Sequence, residues 1–268
     1  MDIDGKLRDI CMAAIPFVMA RRKTTGGFGA TPMLPATIED TYHALNILNL
    51  ARKYHAACDR ESGPFTENNL LFYLTARRLS LLAGSRTTFQ MLWCCRIAGL
   101  ELDRDAIEAA VIAKMKAYDS LEVWFYCTRI LAEVLGGKSW PIADKRNLIA
   151  ILDRPWRTVD EAWMHMYLSR EFGDAFPRPT SEHIAWFQAS QNGDGGFGFF
   201  PGTTSFVENC HACLRALALL GAEPFHPNRA FRFLTGCQTA SGGFGRSSRA
   251  APYLDATWHA LAALAVIG

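Results

Sequence analysis

Gly195-Gly196-Phe197-Gly198 is written three times in this chain, the other two copies being Gly26-Gly27-Phe28-Gly29 and Gly242-Gly243-Phe244-Gly245. Thirteen residues beyond each Phe stands a small or thiol residue, Thr41, Cys210 or Thr257, opening an apolar stretch. Two positions before it lies an acid: Glu39, Glu208 or Asp255. A motif that recurs with its surroundings marks a repeat protein, in which each unit buries its second face against the next. Glycine pairs stop helices because they tolerate positive φ and let another chain approach closely. A Phe held between them can turn back into the core.

Helical stretches flank every copy. Residues 7–19 precede the first and 38–51 follow it, with Pro35 just outside the helix start. Ala44, Leu45, Ile47 and Leu48 supply a broad apolar stripe to that second helix. Residues 181–190 and 206–220 bracket the second copy, and 229–237 and 254–267 the third. The 47 residues from Phe197 to Phe244 suit two helices and two loops. The middle of the chain lacks the glycine motif but carries helical segments at 70–82, 87–98, 105–117, 121–135, 142–152 and 160–171. Strand signals are weak throughout. The expected fold is all-α, with about six helix pairs. Both end pairs are apolar and neither reads as a polar cap, so the pairs are expected to close into a ring of inner and outer helices. One domain over 1–268 follows.

Composition sets bounds on function. Half of the residues are apolar, enough for a large core. The 28 basic and 26 acidic residues leave a formal net charge of +2, which gives no general affinity for nucleic acid. Eight cysteines scattered through apolar stretches point to buried free thiols rather than a disulfide framework. The apolar run at 10–20 is too short to span a bilayer, and the charged residues before it make a poor signal peptide. No transmembrane segment is expected, and the expected compartment is the cytoplasm.

Ring closure would place the first, fifth and sixth inner helices side by side. Glu39, Glu208 and Asp255 would then share one level at the first turn, where negative charge is favoured. Thr41, Cys210 and Thr257 lie just below, and His43 and His259 one step further. The plain alternative is that the acids are ordinary helix-start residues, each stabilising by about 1 kcal/mol.

The strings QNGDGGFGFFPGTTSFVENCHACLRAL and CQTASGGFGRSSRAAPYLDATWHALAAL, with GGFGATPMLPATIEDTYHALNIL, resemble repeats of the protein prenyltransferase β-subunit and terpene cyclase superfamily. The resemblance implies an α/α toroid around an isoprenoid-sized cavity. Val207-Glu208-Asn209-Cys210 looks like the zinc-holding Asp-x-Cys pair of protein prenyltransferases, with Glu in place of Asp. It implies Zn²⁺ at Glu208, Cys210 and His259, with His211 as another ligand to consider. A mixed thiolate, imidazole and carboxylate shell with an open position suits that metal. Arg246 and Arg249, just ahead of the last inner helix, are the candidates for diphosphate contact.

The expected activity is prenyl transfer from a prenyl diphosphate, or another isoprenoid, to a thiol or other nucleophile. Partner expectations include a separate α-subunit or protein partner. Thr37-Ile38-Glu39-Asp40-Thr41 also resembles the D-x-D-D-T motif of class II cyclases, with Glu39 at the proton donor's position. That implies an alternative in which Glu39 and Asp40, with Asp255 nearby, protonate an isoprenoid. Tyr42, Phe199, Phe200, Trp258, Trp124 and Trp163 are the candidate wall residues, whose faces would stabilise developing cations. A toroidal lipid- or protein-binding module without catalysis is the third reading.

Overall fold

The computed structural model describes residues 3–54, 68–78, 84–137, 146–173 and 180–267. Twelve α-helices fall among the described residues: α1 Ile3–Met19, α2 Ile38–Tyr54, α3 Asn68–Arg78, α4 Ser85–Ile97, α5 Arg104–Ala117, α6 Leu121–Arg129, α7 Arg146–Leu152, α8 Val159–Phe172, α9 Thr180–Ala189, α10 Val207–Leu219, α11 Pro227–Thr235 and α12 Leu254–Ile267. The expected segments and the observed ones agree to within a few residues. The expected ends at 79–82 and 142–145 lie outside the described residues. The stretch expected at 121–135 is a single run that changes character midway, because α6 passes into a π-helical turn over Ile130–Val134. Such turns recur at functional sites.

The fold is an α/α toroid. The even-numbered helices form the inner wall, each packed on the next from α2 round to α12, and α12 packs back on α2. The odd-numbered helices lie outside; α9 bridges α8 and α10, and α1 touches both α2 and α12. The apolar helices at the two ends of the chain therefore cover one another, as their composition required. Local chemistry fixes the helix starts. Asp103 and Thr158 cap α5 and α8 by accepting from the amides of Ala106 and Glu161, both at 3.1 Å.

The glycine motif is the joint between repeats. Phe28, Phe197 and Phe244 are buried. The Phe28 amide donates to Thr41 Oγ1 at 3.0 Å and the Phe244 amide to Thr257 Oγ1 at 2.9 Å. Cys210 occupies the equivalent place, its sulfur accepting from the Phe197 amide. The spacing of thirteen is thus the spacing of one repeated hydrogen bond. The first glycine of each copy has positive φ, and a Cβ there would overlap the carbonyl of Asn69, Arg229 or Ala13, each on the next outer helix. The last of these contacts, Gly242 against α1, joins the chain's end to its beginning. Gln238 strengthens the joint by donating to the carbonyls of Ile10 at 3.2 Å and Gly242 at 3.0 Å. Two-residue strands β1 Phe244–Gly245 and β2 Pro252–Tyr253 pair beside it.

Seven cysteines among the described residues are buried and free, as expected, and Cys58 lies outside them. Among the described residues no helix is long and apolar enough to cross a membrane.

Candidate functional site

The inner helices enclose a cavity of about 880 Å³. Their shared register turns its wall into layers. The second residues of the six inner helices are Glu39, Arg86, Glu122, Asp160, Glu208 and Asp255. The fifth residues are Tyr42, Phe89, Phe125, Trp163, His211 and Trp258, and the sixth are His43, Gln90, Tyr126, Met164, Ala212 and His259. All twelve fifth and sixth residues border the cavity. Positions five and six repeat because consecutive helices enter the ring at one level and present one face inward.

The mouth is acidic. Glu39, Glu208 and Asp255 stand on adjacent inner helices at the first turn, as ring closure required. Their environments differ. Glu39 is exposed, does not border the cavity, and pairs with Arg86 at 2.6 Å, with His43 Nε2 3.9 Å away. His43, with Arg86 behind it, holds the Glu39 carboxyl below the usual range. A proton donor to an alkene needs the opposite shift. Asp40 also stays off the cavity. Its carboxylate accepts from the Thr37 hydroxyl at 2.6 Å while its amide donates back to Thr37 Oγ1, so it belongs to the start of α2. Burial nevertheless raises its pKa. Burial raises Glu208 as well, although Arg246 donates to its Oε1 at 2.8 Å; Oε2 has no hydrogen-bond partner. Asp160, whose role no sequence motif signalled, faces the cavity and is raised by burial too.

Three imidazoles line one side. His211 and His259 meet Nδ1 to Nδ1 at 2.8 Å, and the rings of His43 and His259 lie 5.8 Å apart. Burial pushes His259 down to about 3 and His211 well below the ordinary histidine range, with neighbouring positive groups adding to it. Both are neutral near pH 7. The His43 nitrogens make no hydrogen bond.

Deeper in the ring, the ninth residues of α6, α8 and α10 are Arg129, Tyr167 and Arg215. Glu133, from the π-helical turn, joins them. It accepts from Arg129 twice, at 2.9 and 2.8 Å, and from the Tyr167 hydroxyl at 3.1 Å. Arg215 approaches the same carboxylate at 3.9 Å. The guanidinium of Arg129 lies 4.1 Å from the Phe89 ring centre, and that of Arg215 lies 4.7 Å from Trp163. Burial opposes ionisation of Glu133, but the Arg129 partner wins and holds its pKa low.

Tyr42, Phe199, Trp258, Trp163 and Arg246 border the cavity as expected. Arg249 does not; it is exposed on the loop before α12. Phe200 is exposed and off the cavity, and Trp124 is buried in the wall with its indole donating to the Tyr118 carbonyl at 3.1 Å. Sequence reasoning missed Arg129, Glu133, Arg215 and Asp160. Counting residues from each inner helix start would have found Asp160, which shares second rank with Glu39, Glu208 and Asp255, but not the other three.

The Glu208, Cys210 and His259 set does not fit a zinc shell. The Cys210 thiol is buried off the cavity, takes the Phe197 amide, and is pushed above its usual range by burial. Among the described residues no three His, Cys, Asp or Glu side chains gather as a metal-holding group. The family model described as "Prenyltransferase alpha-alpha toroid domain" matches residues 5–85, 166–228 and 209–268. No curated protein matches the chain.

Proposed function

Because the chain belongs to the prenyltransferase alpha-alpha toroid family, we propose that its cavity binds and turns over an isoprenoid, and that the reaction is prenyl transfer to a nucleophile. One observation carries this reading: a cavity of about 880 Å³ bordered by the fifth and sixth residues of all six inner helices, most of them aromatic or imidazole. A flexible hydrocarbon finds apolar area there, and carbocation character at its reacting carbon meets ring faces.

In the transfer, the bond from the prenyl C1 to the diphosphate oxygen breaks and the pair leaves with diphosphate. A lone pair of the acceptor forms the new bond to C1. The acceptor's proton leaves to solvent, since burial leaves the His211–His259 pair too weakly basic to hold it near pH 7. The thiol or other nucleophile, and any protein partner presenting it, belong to this same proposal. No step runs through zinc.

Protonation-initiated cyclisation is the weaker reading. Glu39 is off the cavity and held ionised, and Asp40 serves the start of α2. Incubation of purified protein with farnesyl diphosphate and a small thiol, followed by mass spectrometry, tests the choice. A thioether plus released diphosphate is expected. A cyclic hydrocarbon with no acceptor incorporated, or no turnover with bound isoprenoid, overturns transfer.

A further inference from the structure

The mouth of the cavity carries more negative charge than the protein answers. Glu122, Asp160, Glu208 and Asp255 all border the cavity. The last three stand on α8, α10 and α12, which pack in succession. Arg86 and Arg246 border it too, but both are taken. Glu39 holds Arg86 at 2.6 Å, and one oxygen of Glu208 holds Arg246 at 2.8 Å. Among the described residues Glu122, Asp160 and Asp255 make no ion pair. The second oxygen of Glu208 has no hydrogen-bond partner. Burial raises both Asp160 and Glu208, a shift that a bound cation would reverse.

An independent sign of a missing partner lies one turn deeper. The His43 side chain borders the cavity, is 3% exposed, and has no hydrogen bond at either nitrogen. A buried polar group is rarely left so. Glu39 stays 3.9 Å from its Nε2 and turns to Arg86 instead. The rings at this level already receive positive groups: Arg246 lies 4.5 Å from the Phe206 ring centre and Arg215 4.7 Å from Trp163. Among the described residues no cation lies over the cavity-facing rings of Tyr42 and Trp258. Indole offers the strongest face of this kind. A metal ion does not suit the place, since among the described residues no three ligating side chains gather. Unanswered carboxylates, an open imidazole and free ring faces together call for an organic cation with N–H groups.

We propose that the mouth is a binding site for an amphiphilic primary amine, a ligand that is positive before any reaction. Its ammonium group has three N–H donors, for Asp255, Glu208 and His43, and Asp160 adds charge from α8. Its hydrocarbon lies on Trp258 and Tyr42. A quaternary ammonium would satisfy the charge and the rings but leave His43 without a donor. The site rests on the geometry of the mouth and not on the isoprenoid reading.

The test is isothermal titration of the full chain with octylamine, octyltrimethylammonium, octanol and octanoate, which share one hydrocarbon and differ in the head. Octylamine is expected to bind at least tenfold more tightly than octanol or octanoate, with octyltrimethylammonium between. Asp255→Asn should weaken octylamine at least tenfold and leave octanol within twofold. His43→Leu should weaken octylamine at least threefold and leave octyltrimethylammonium within twofold. Glu182→Gln removes an exposed acid from the outer helix α9 and should leave all four ligands within twofold. Thermal melts separate lost binding from lost folding, and Asp160→Asn serves if the Asp255 variant does not fold. Octanol or octanoate binding as tightly as octylamine overturns the proposal, because the cavity then takes hydrocarbon whatever its head. Equal losses in Glu182→Gln and Asp255→Asn overturn it as well, by making the attraction a property of the whole surface. Octylamine affinity indifferent to His43→Leu and matched by octyltrimethylammonium removes the hydrogen-bonded ammonium, and the proposal falls. Farnesyl diphosphate titrated into the same protein reports on the isoprenoid reading separately.

Discussion

The Nδ1 atoms of His211 and His259 face one another at 2.8 Å, one donating and the other accepting. A hydrogen bond of that kind exists only while at least one ring is neutral. It links α10 to α12 inside the cavity wall, where burial already disfavours the charged form.

Stability should consequently fall as the solution is acidified. An unfolded histidine titrates near about 6.5, whereas folded His259 is pushed down to about 3. Between those values the unfolded chain binds more protons, so the stabilisation is whole above the upper one and lost progressively below it. The melting temperature is expected to drop from pH 7 to pH 5, and His259→Gln should flatten that drop. An equally steep profile in the variant would assign the acid sensitivity elsewhere.

Closure of the ring should depend on Gly242. Its φ is +86°, and a Cβ there would collide with the Ala13 carbonyl on α1. Left-handed backbone alone costs a non-glycine residue about 1–2 kcal/mol, and the collision adds to it. Gly242→Ala is expected to lose at least that much in urea unfolding, while Gly221→Ala, with positive φ but open space around it, loses only the backbone part. Equal losses would deny the joint its role.

Cys210 should accept threonine. Thr41 and Thr257 hold the same amide bond in their own repeats, so Cys210→Thr keeps an acceptor for Phe197. Cys210→Val removes it and leaves a buried amide unpaired, a loss of about 1–3 kcal/mol. Metal analysis of wild-type and Cys210→Thr protein should give the same zinc content. Stoichiometric zinc in the first that vanishes in the second would restore Cys210 as a ligand.

Glu39→Gln should scarcely matter to turnover. It breaks an ion pair with Arg86 whose side chains are both about half exposed, worth at most about 1 kcal/mol. Product formation from farnesyl diphosphate is expected to stay within twofold. Abolished turnover in a folded variant would bring back the acid-initiated reaction.

Glu133→Gln should be the most damaging of the charge changes. It strands the guanidinium of Arg129, which is mostly buried, and breaking such a pair costs about 3–5 kcal/mol. A melting temperature equal to wild type would mean that water or Tyr167 satisfies Arg129 without the carboxylate.

The helices were legible from the chain because their apolar periods and glycine stops are local properties. Three copies of one motif also gave the repeat, and the apolar terminal pairs gave closure. The acids of three repeats were correctly set on neighbouring helices, since equal spacing in sequence becomes equal height in a ring. Their chemistry was not legible. Whether Glu39 turns to Arg86 or to the cavity depends on a residue 47 positions away, and whether Cys210 is a ligand or an acceptor depends on which face of α10 meets the glycine turn. The middle of the chain, with no motif to mark it, hid Arg129 and Glu133 altogether.

What the sequence determined by itself was a closed all-α repeat with an inner wall of fixed register, because hydrophobic burial and backbone hydrogen bonding act over a few residues at a time. Only the tertiary structure decided which polar groups face the cavity and in what charge state. Those properties come from desolvation and from partners on other helices, and they arise when the ring brings distant residues within a few ångströms.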